Sequence, residues 1–213
     1  MSKKRLPKRY GMVIDLERCI GCQTCRIACK VENNLDTGSG IRVDTVGGAY
    51  RDTPKGKYPN LSMYYLPVPC MHCGKPACLD ACPLEAIYKR QDGIVLIDKE
   101  KCSGCQECIP ACPYGALTYD PERDVIQKCT LCQHRIDQGL EPFCVVCCED
   151  ESISFGDLND PESKVSKLIS QKDAFILKPD AGTAPAVYYC PVAIRAGVQI
   201  KDDRPLPIIS LGH

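Results

Sequence analysis

Apolar residues in this chain come in short runs. "GIVLI" and "FCVVCC" are among the longest, far below the 18 or more residues that a membrane helix needs. Three runs lead into cysteine-rich loops: "GMVIDLERC", "IVLIDKEKC" and "DPERDVIQKC". Each predicts a strand, and Asp92-Gly93 ahead of "IVLID" predicts a hairpin turn. Residues 33–66 alternate over short stretches broken by glycine and proline, which predicts a β-excursion or loop. Residues 178–213 are proline-rich and lack helical periodicity. Their apolar positions, Tyr188, Tyr189, Ile194, Ile208, Ile209 and Leu211, are too many for a free disordered end. Two readings of this tail stay open: an arm over a partner subunit, or an arm folded back on its own domain.

The chain has 213 residues, enough for one compact domain or two small ones. Its 27 Lys+Arg balance its 27 Asp+Glu, and the only basic stretch that stands out is Lys3–Arg9, which reads as a solvated terminus. That balance argues against a nucleic-acid binder. The first residues contain no apolar signal core, no cleavage site and no twin-arginine pair. The expectation is therefore a reduced, cytoplasmic chain, with periplasmic co-export beside a signal-bearing partner as the other route.

Cysteine changes the picture, at 18 residues. Sixteen fall into four groups. Group one is Cys19, Cys22, Cys25 and Cys29; group two is Cys70, Cys73, Cys78 and Cys82. Group three is Cys102, Cys105, Cys108 and Cys112; group four is Cys129, Cys132, Cys144 and Cys148. Groups one and three share the spacing C-x2-C-x2-C-x3-C, while groups two and four lengthen the middle gap to four and eleven residues. A cubane cluster presents several iron corners on one small body, and a loop with two residues between thiols can meet them in turn. Zinc wants a tetrahedron from two separated pairs, and a disulfide needs only a pair. In the bacterial ferredoxin pattern the fourth cysteine ligates the neighbouring cluster. Group four alone could be a zinc knuckle; beside the other three it reads as their partner. Pro83 and Pro113 follow the fourth cysteines of groups two and three and predict a turn of helix in "PLEAI" and "PYGAL".

Groups two and three adjoin and predict one pair; groups one and four, at opposite ends, predict a second that closes around it. The fold class is α+β: two interlocked ferredoxin-like modules. The boundaries are residues 1–32 with 120–160 for one module and 67–119 for the other. Residues 33–66 form the excursion, and 161–213 a C-terminal segment and extended arm. Four [4Fe–4S] clusters, each about −2 with its thiolates, would bring about −8 into a neutral chain. Lys30, Lys75, Lys101 and Lys128 lie near the ligands, either as tuning cations or as ordinary surface lysines. His72 and His134 read as hydrogen-bonding loop residues. Cys147 and Cys190 read as non-ligand thiols, although Cys147 and Cys148 could exchange roles. Walker, G-x-G-x-x-G, H-E-x-x-H and radical-SAM patterns do not occur, so no catalytic residue is assigned and one-electron relay remains.

"YGMVIDLERCIGCQTCRIACK", "PCMHCGKPACLDACP", "DGIVLIDKEKCSGCQECIPACPYGAL" and "KCTLCQHRIDQGLEPFC" resemble the iron–sulfur subunits of the DMSO reductase superfamily. "PCMHC" and "DGIVLID" are also similar to the small subunit of pyrogallol–phloroglucinol transhydroxylase. The resemblance implies electron transfer to or from a molybdenum- or tungsten-bis-pterin catalytic subunit. A membrane quinone-reactive subunit or a soluble carrier is then the further partner. It implies one cluster on Cys19, Cys22, Cys25 and Cys148, and its neighbour on Cys129, Cys132, Cys144 and Cys29. A third falls on Cys70, Cys73, Cys78 and Cys112, and the fourth on Cys102, Cys105, Cys108 and Cys82. Glu149 stands where the family usually has proline, which leaves Cys148 the least secure of the sixteen. The alternative function is a free-standing polyferredoxin.

Overall fold

The computed structural model describes residues 7–35, 38, 40–50 and 52–192. Lys3, Lys4 and Arg5, and the apolar positions Ile194, Ile208, Ile209 and Leu211, lie outside the described residues. The first third of the sequence forms β1 (Tyr10–Asp15), α1 (Thr24–Glu32), β2 (Ile41–Val46), β3 (Lys55–Lys57), β4 (Asn60–Ser62) and β5 (Tyr64–Pro69). The middle forms α2 (Ala77–Asp80), β6 (Ile87–Lys89), β7 (Val95–Ile97), α3 (Cys108–Ala111), β8 (Thr118–Asp120) and β9 (Val125–Gln127). Then come α4 (Gln133–Ile136), α5 (Phe143–Val146), β10 (Ile153–Asp157), α6 (Lys164–Gln171) and β11 (Val187–Cys190).

β1 is the centre strand of a three-stranded sheet, antiparallel to β10 and parallel to β11. Its side chains alternate between faces. Met12 and Ile14 enter the main core with Ile153, Val187 and Tyr189. Val13 faces the other way, against Val165 of α6 and Cys190. Burial on both faces explains why "GMVID" is nearly continuous in apolar character. The strand before group one thus pairs with the strand after group four.

The excursion is a hairpin: β2 pairs antiparallel with β5 from Ile41↔Pro69 to Val46↔Tyr64, with the exposed β3–β4 hairpin beyond it. Arg42 ties this hairpin to the middle of the fold, donating to the carbonyls of Tyr114 (2.9 Å) and Gly115 (3.0 Å). β6 and β7 form the expected hairpin around Gly93, whose φ of 88° suits glycine.

The structure corrects the placement of the short helices. "PLEAI" and "PYGAL" are turns, and the helical turn comes earlier, at α2 and α3. Glu85 N–H reaches Cys82 O and Gly115 N–H reaches Cys112 O, both at 3.2 Å. Pro83 and Pro113 therefore occupy the second position of a β-turn, where the ring presets φ. The C-terminal segment is also not an extended arm as far as Val192. It lies back on its own domain, with Tyr189 wholly buried and its hydroxyl donating to Pro67 O at 2.9 Å. α6, capped by Ser163 on the Ser166 N–H, precedes it. No described helix is long and apolar enough to cross a membrane.

Candidate functional site

The third and fourth cysteines of every group are spaced by one helical turn. Cys25 and Cys29 lie on α1, and Cys78, Cys108 and Cys144 lie on α2, α3 and α5 with the fourth cysteine four residues on. On α1, residues i and i+4 are neighbours on one face, about 5–6 Å apart; in the other three groups the fourth cysteine follows the end of the short helix, Cys112 in extended backbone. The first two cysteines sit in loops with left-handed backbone. Gly21 (φ 71°) and Gln23 (66°) in group one repeat as Gly104 (65°) and Gln106 (64°) in group three. Such loops turn successive N–H groups toward their concave side.

The thiols gather in four sites. Site I is a cavity lined by Cys19, Cys22, Cys25 and Cys148, with Val43, Pro67 and Ser152 among its walls. Burial first, then the nearness of Cys19, Cys148 and Cys22, pushes the Cys25 thiol up to about 12. At site II burial holds Cys144 well above the usual thiol range, and Cys129, Cys132 and Cys29 add to it. At site III burial, with Cys70, Cys112 and Cys73, pushes Cys78 up to about 12. Site IV is a second cavity, lined by Cys82, Cys102, Cys105 and Cys108 among Leu84, Ile87, Ile97 and Ile126. Burial, assisted by Cys82, Cys102 and Cys105, raises Cys108 to about 11. Every site thus draws three cysteines from one group and the fourth from another.

These surroundings fit iron–sulfur clusters. Backbone N–H groups donate to sulfur from Ser152 to Cys148 (3.3 Å) and from Leu131 to Cys129 (3.3 Å). Ala86 donates to Cys82 (3.3 Å) and Ile126 to Cys102 (3.5 Å). Among the described residues no three His, Cys, Asp or Glu side chains converge on a single ion-sized point. At each of sites I and IV the thiols line a shared cavity walled mainly by apolar side chains. His72 is buried, and its Nδ1 accepts the Val95 N–H at 3.1 Å, which assigns the ring proton to Nε2. Nε2 is buried without a partner among the described residues. His134 instead pairs at the surface with Glu32 (2.7 Å), a contact that holds the Glu32 carboxyl below its ordinary range.

The doublet is also distinguished. Cys148 lines site I, with the Ser152 hydroxyl 3.1 Å from its sulfur, whereas Cys147 ends α5 and does not line the cavity. Cys190 is wholly buried against Val13 and Val165, away from the four sites. Of the four lysines near the groups, Lys75 and Lys101 are exposed, Lys30 is half-buried and Lys128 is buried.

Three polar side chains carry no signal in the cysteine spacing. The Ser152 hydroxyl serves Cys148 and Cys19. Asn33 Nδ2 lies 3.8 Å from Cys29 Sγ and 3.9 Å from Cys132 Sγ. The Thr183 hydroxyl, 2.6 Å from that of Tyr114, serves Cys73. Asn33, four residues beyond Cys29 on the same helical face, was findable from periodicity. Thr183 was not, because it comes from the distant strap whose backbone pairs with the group-two loop, Gly74 N–H on Ala184 O at 2.7 Å and Lys75 N–H on Thr183 O at 2.9 Å.

The 4Fe-4S dicluster domain family matches residues 61–158, and the 4Fe-4S binding domain family matches residues 10–31. A Halobacterium salinarum protein named as a dimethyl sulfoxide reductase iron–sulfur subunit is 45% identical over 84% of this chain and 78% of its own length. The arsenate respiratory reductase iron–sulfur subunit of a Shewanella species is 35% identical over 85% of this chain and 95% of its own. This protein belongs to the iron–sulfur subunits of the dimethyl sulfoxide reductase family. The beta subunit of perchlorate reductase from Dechloromonas aromatica is similar as well, 35% identical over 93% of this chain and 80% of its own. As an iron–sulfur subunit of this family, the protein carries [4Fe–4S] clusters and transfers electrons.

Proposed function

We propose that the chain relays single electrons through four [4Fe–4S] clusters between a molybdenum- or tungsten-pterin catalytic subunit and a quinone-reactive subunit or soluble carrier. When bound, each cluster supplies a one-electron couple. Cys19, Cys22, Cys25 and Cys148 would hold the first, and Cys29, Cys129, Cys132 and Cys144 the second. Cys70, Cys73, Cys78 and Cys112 would hold the third, and Cys82, Cys102, Cys105 and Cys108 the fourth. This crosswise sharing, together with the β1–β10 pairing, supports two interlocked modules, residues 1–32 with 120–160 and residues 67–119.

The observation that carries the reading is a row of thiol sites whose exposed cysteines lie only at its two ends. Cys25 of site I lies near Cys144 of site II, and Cys129 of site II lies near Cys70 of site III. α2 and α3 join sites III and IV: Cys78 on α2 belongs to site III and Cys82 just beyond it to site IV, while Cys108 on α3 belongs to site IV and Cys112 just beyond it to site III. Cys22 of site I and Cys105 of site IV are exposed, while all four cysteines of site II are buried. A relay is served by that pattern: termini within reach of partners and a middle without a fully exposed cysteine. Ile20, two residues before Cys22, and Ile27 and Val31 on α1 are each more than half exposed and suit a docked protein at this end of the row.

Anaerobic purification from native extract tests this. The expected result is a brown complex with about sixteen iron and sixteen acid-labile sulfide per chain and a large pterin-bearing subunit. A metal-poor chain, or one that runs as a monomer with no partner, overturns it.

A further inference from the structure

Lys128 is 7% exposed and sits where the group-four loop meets the group-two loop. Its ammonium donates to Val95 O and, at 2.9 Å, to Cys129 O. The Val95 N–H in turn donates to His72, the residue between Cys70 and Cys73. Among the described residues no carboxylate pairs with this ammonium. The two buried carboxylates are engaged elsewhere, Asp15 with Lys172 at 2.7 Å and Asp120 with Arg123 at 3.1 Å.

A buried ammonium with only carbonyl acceptors carries a desolvation penalty, which a nearby negative charge offsets. The ammonium thus touches site II through the Cys129 carbonyl, and site III through Val95, whose N–H holds the His72 ring between Cys70 and Cys73. Adding an electron beside a fixed cation is favoured over adding it elsewhere. We propose that Lys128 is the shared counter-charge of sites II and III, raising the reduction potentials of both clusters and levelling the one electron step that crosses between the two modules. The inference rests on the four-cluster reading above.

The test is an EPR-monitored redox titration of the intact complex carrying Lys128→Met or Lys128→Arg, with iron counted per chain. With iron undiminished, the expected result for Lys128→Met is a fall in two of the four midpoint potentials while the other two stay in place; Lys128→Arg keeps all four near wild type. Equal shifts in all four, or none, overturn the proposal. If Lys128→Met loses metal, loss confined to about two clusters and restored in Lys128→Arg supports it, and equal loss in both variants overturns it. Low iron in the unaltered complex would instead sink the four-cluster reading, which keeps the two failures distinct.

Discussion

Ser152→Ala isolates one hydrogen bond at the exposed end of the row. The hydroxyl is buried, 3.1 Å from Cys148 Sγ, and also serves Cys19. Once sulfur is bound to iron it can only accept, so serine must be the donor. A hydrogen bond to a charged group contributes about 1.5–3 kcal/mol. Reduction adds negative charge to the sulfurs and strengthens that bond; taking the gain as roughly 1 kcal/mol, about 59 mV per tenfold for one electron converts it to a fall of about 40 mV when the hydroxyl is removed. The Ser152 N–H to Cys148 Sγ bond, 3.3 Å, survives the substitution and keeps the loop in place. Redox titration followed by EPR reads the shift. An unmoved set of potentials would refute the reasoning, and so would a shift in a cluster remote from site I.

Cys148→Ser removes one wall of site I and is expected to cost the signal of one cluster, about a quarter of the iron, while Cys147→Ser leaves iron content intact; the reverse result exchanges the ligand assignment. Gly40→Ala places a Cβ 2.7 Å from Cys129 Cα and 2.9 Å from its N, so backbone must shift at site II. Overpacking of this kind costs about 1–3 kcal/mol, and thermal bleaching should begin at a lower temperature. Chelation of iron under reducing conditions should unfold most of the protein, because binding energy here is folding energy; a well-dispersed NMR spectrum of iron-free protein contradicts this. The pH dependence follows from the buried thiols, raised to about 12 at Cys25 and Cys78 by burial first. Such thiols are protonated at neutral pH, so protons compete with iron and cluster retention falls as pH falls. Absorbance near 400 nm after acidification and return to neutral pH measures it, and better retention at low pH than at high would be the contrary outcome.

Spacing made the cofactor class legible because it is a local property. Two residues between thiols set the loop, three residues set one helical turn, and both are written in the chain without reference to anything distant. The strands before the loops were legible for the same reason, through runs such as "GMVID" and "IVLID". The helices were less so. Proline after the fourth cysteine pointed to a helix that is in fact a turn, since a fixed φ suits both and only the surrounding hydrogen bonds distinguish them. α6 has a cue of its own, independent of the cysteines: Ser163 as cap, then Val165, Leu168 and Ile169 at i, i+3 and i+4.

Proximity across the fold belonged to tertiary structure alone. Thr183 reaches Cys73 because the C-terminal strap pairs with the group-two loop, and β11 reaches the central sheet by a path no periodicity announces. Lys128 looked the same in sequence as Lys75 or Lys101; enclosure by β7 and the neighbouring loops makes it a buried charge and leaves the others in water. Residue identities determine which chemistry is available. Burial and distance determine which of those residues meet it, because desolvation and Coulomb energy depend on surroundings that a linear sequence does not contain.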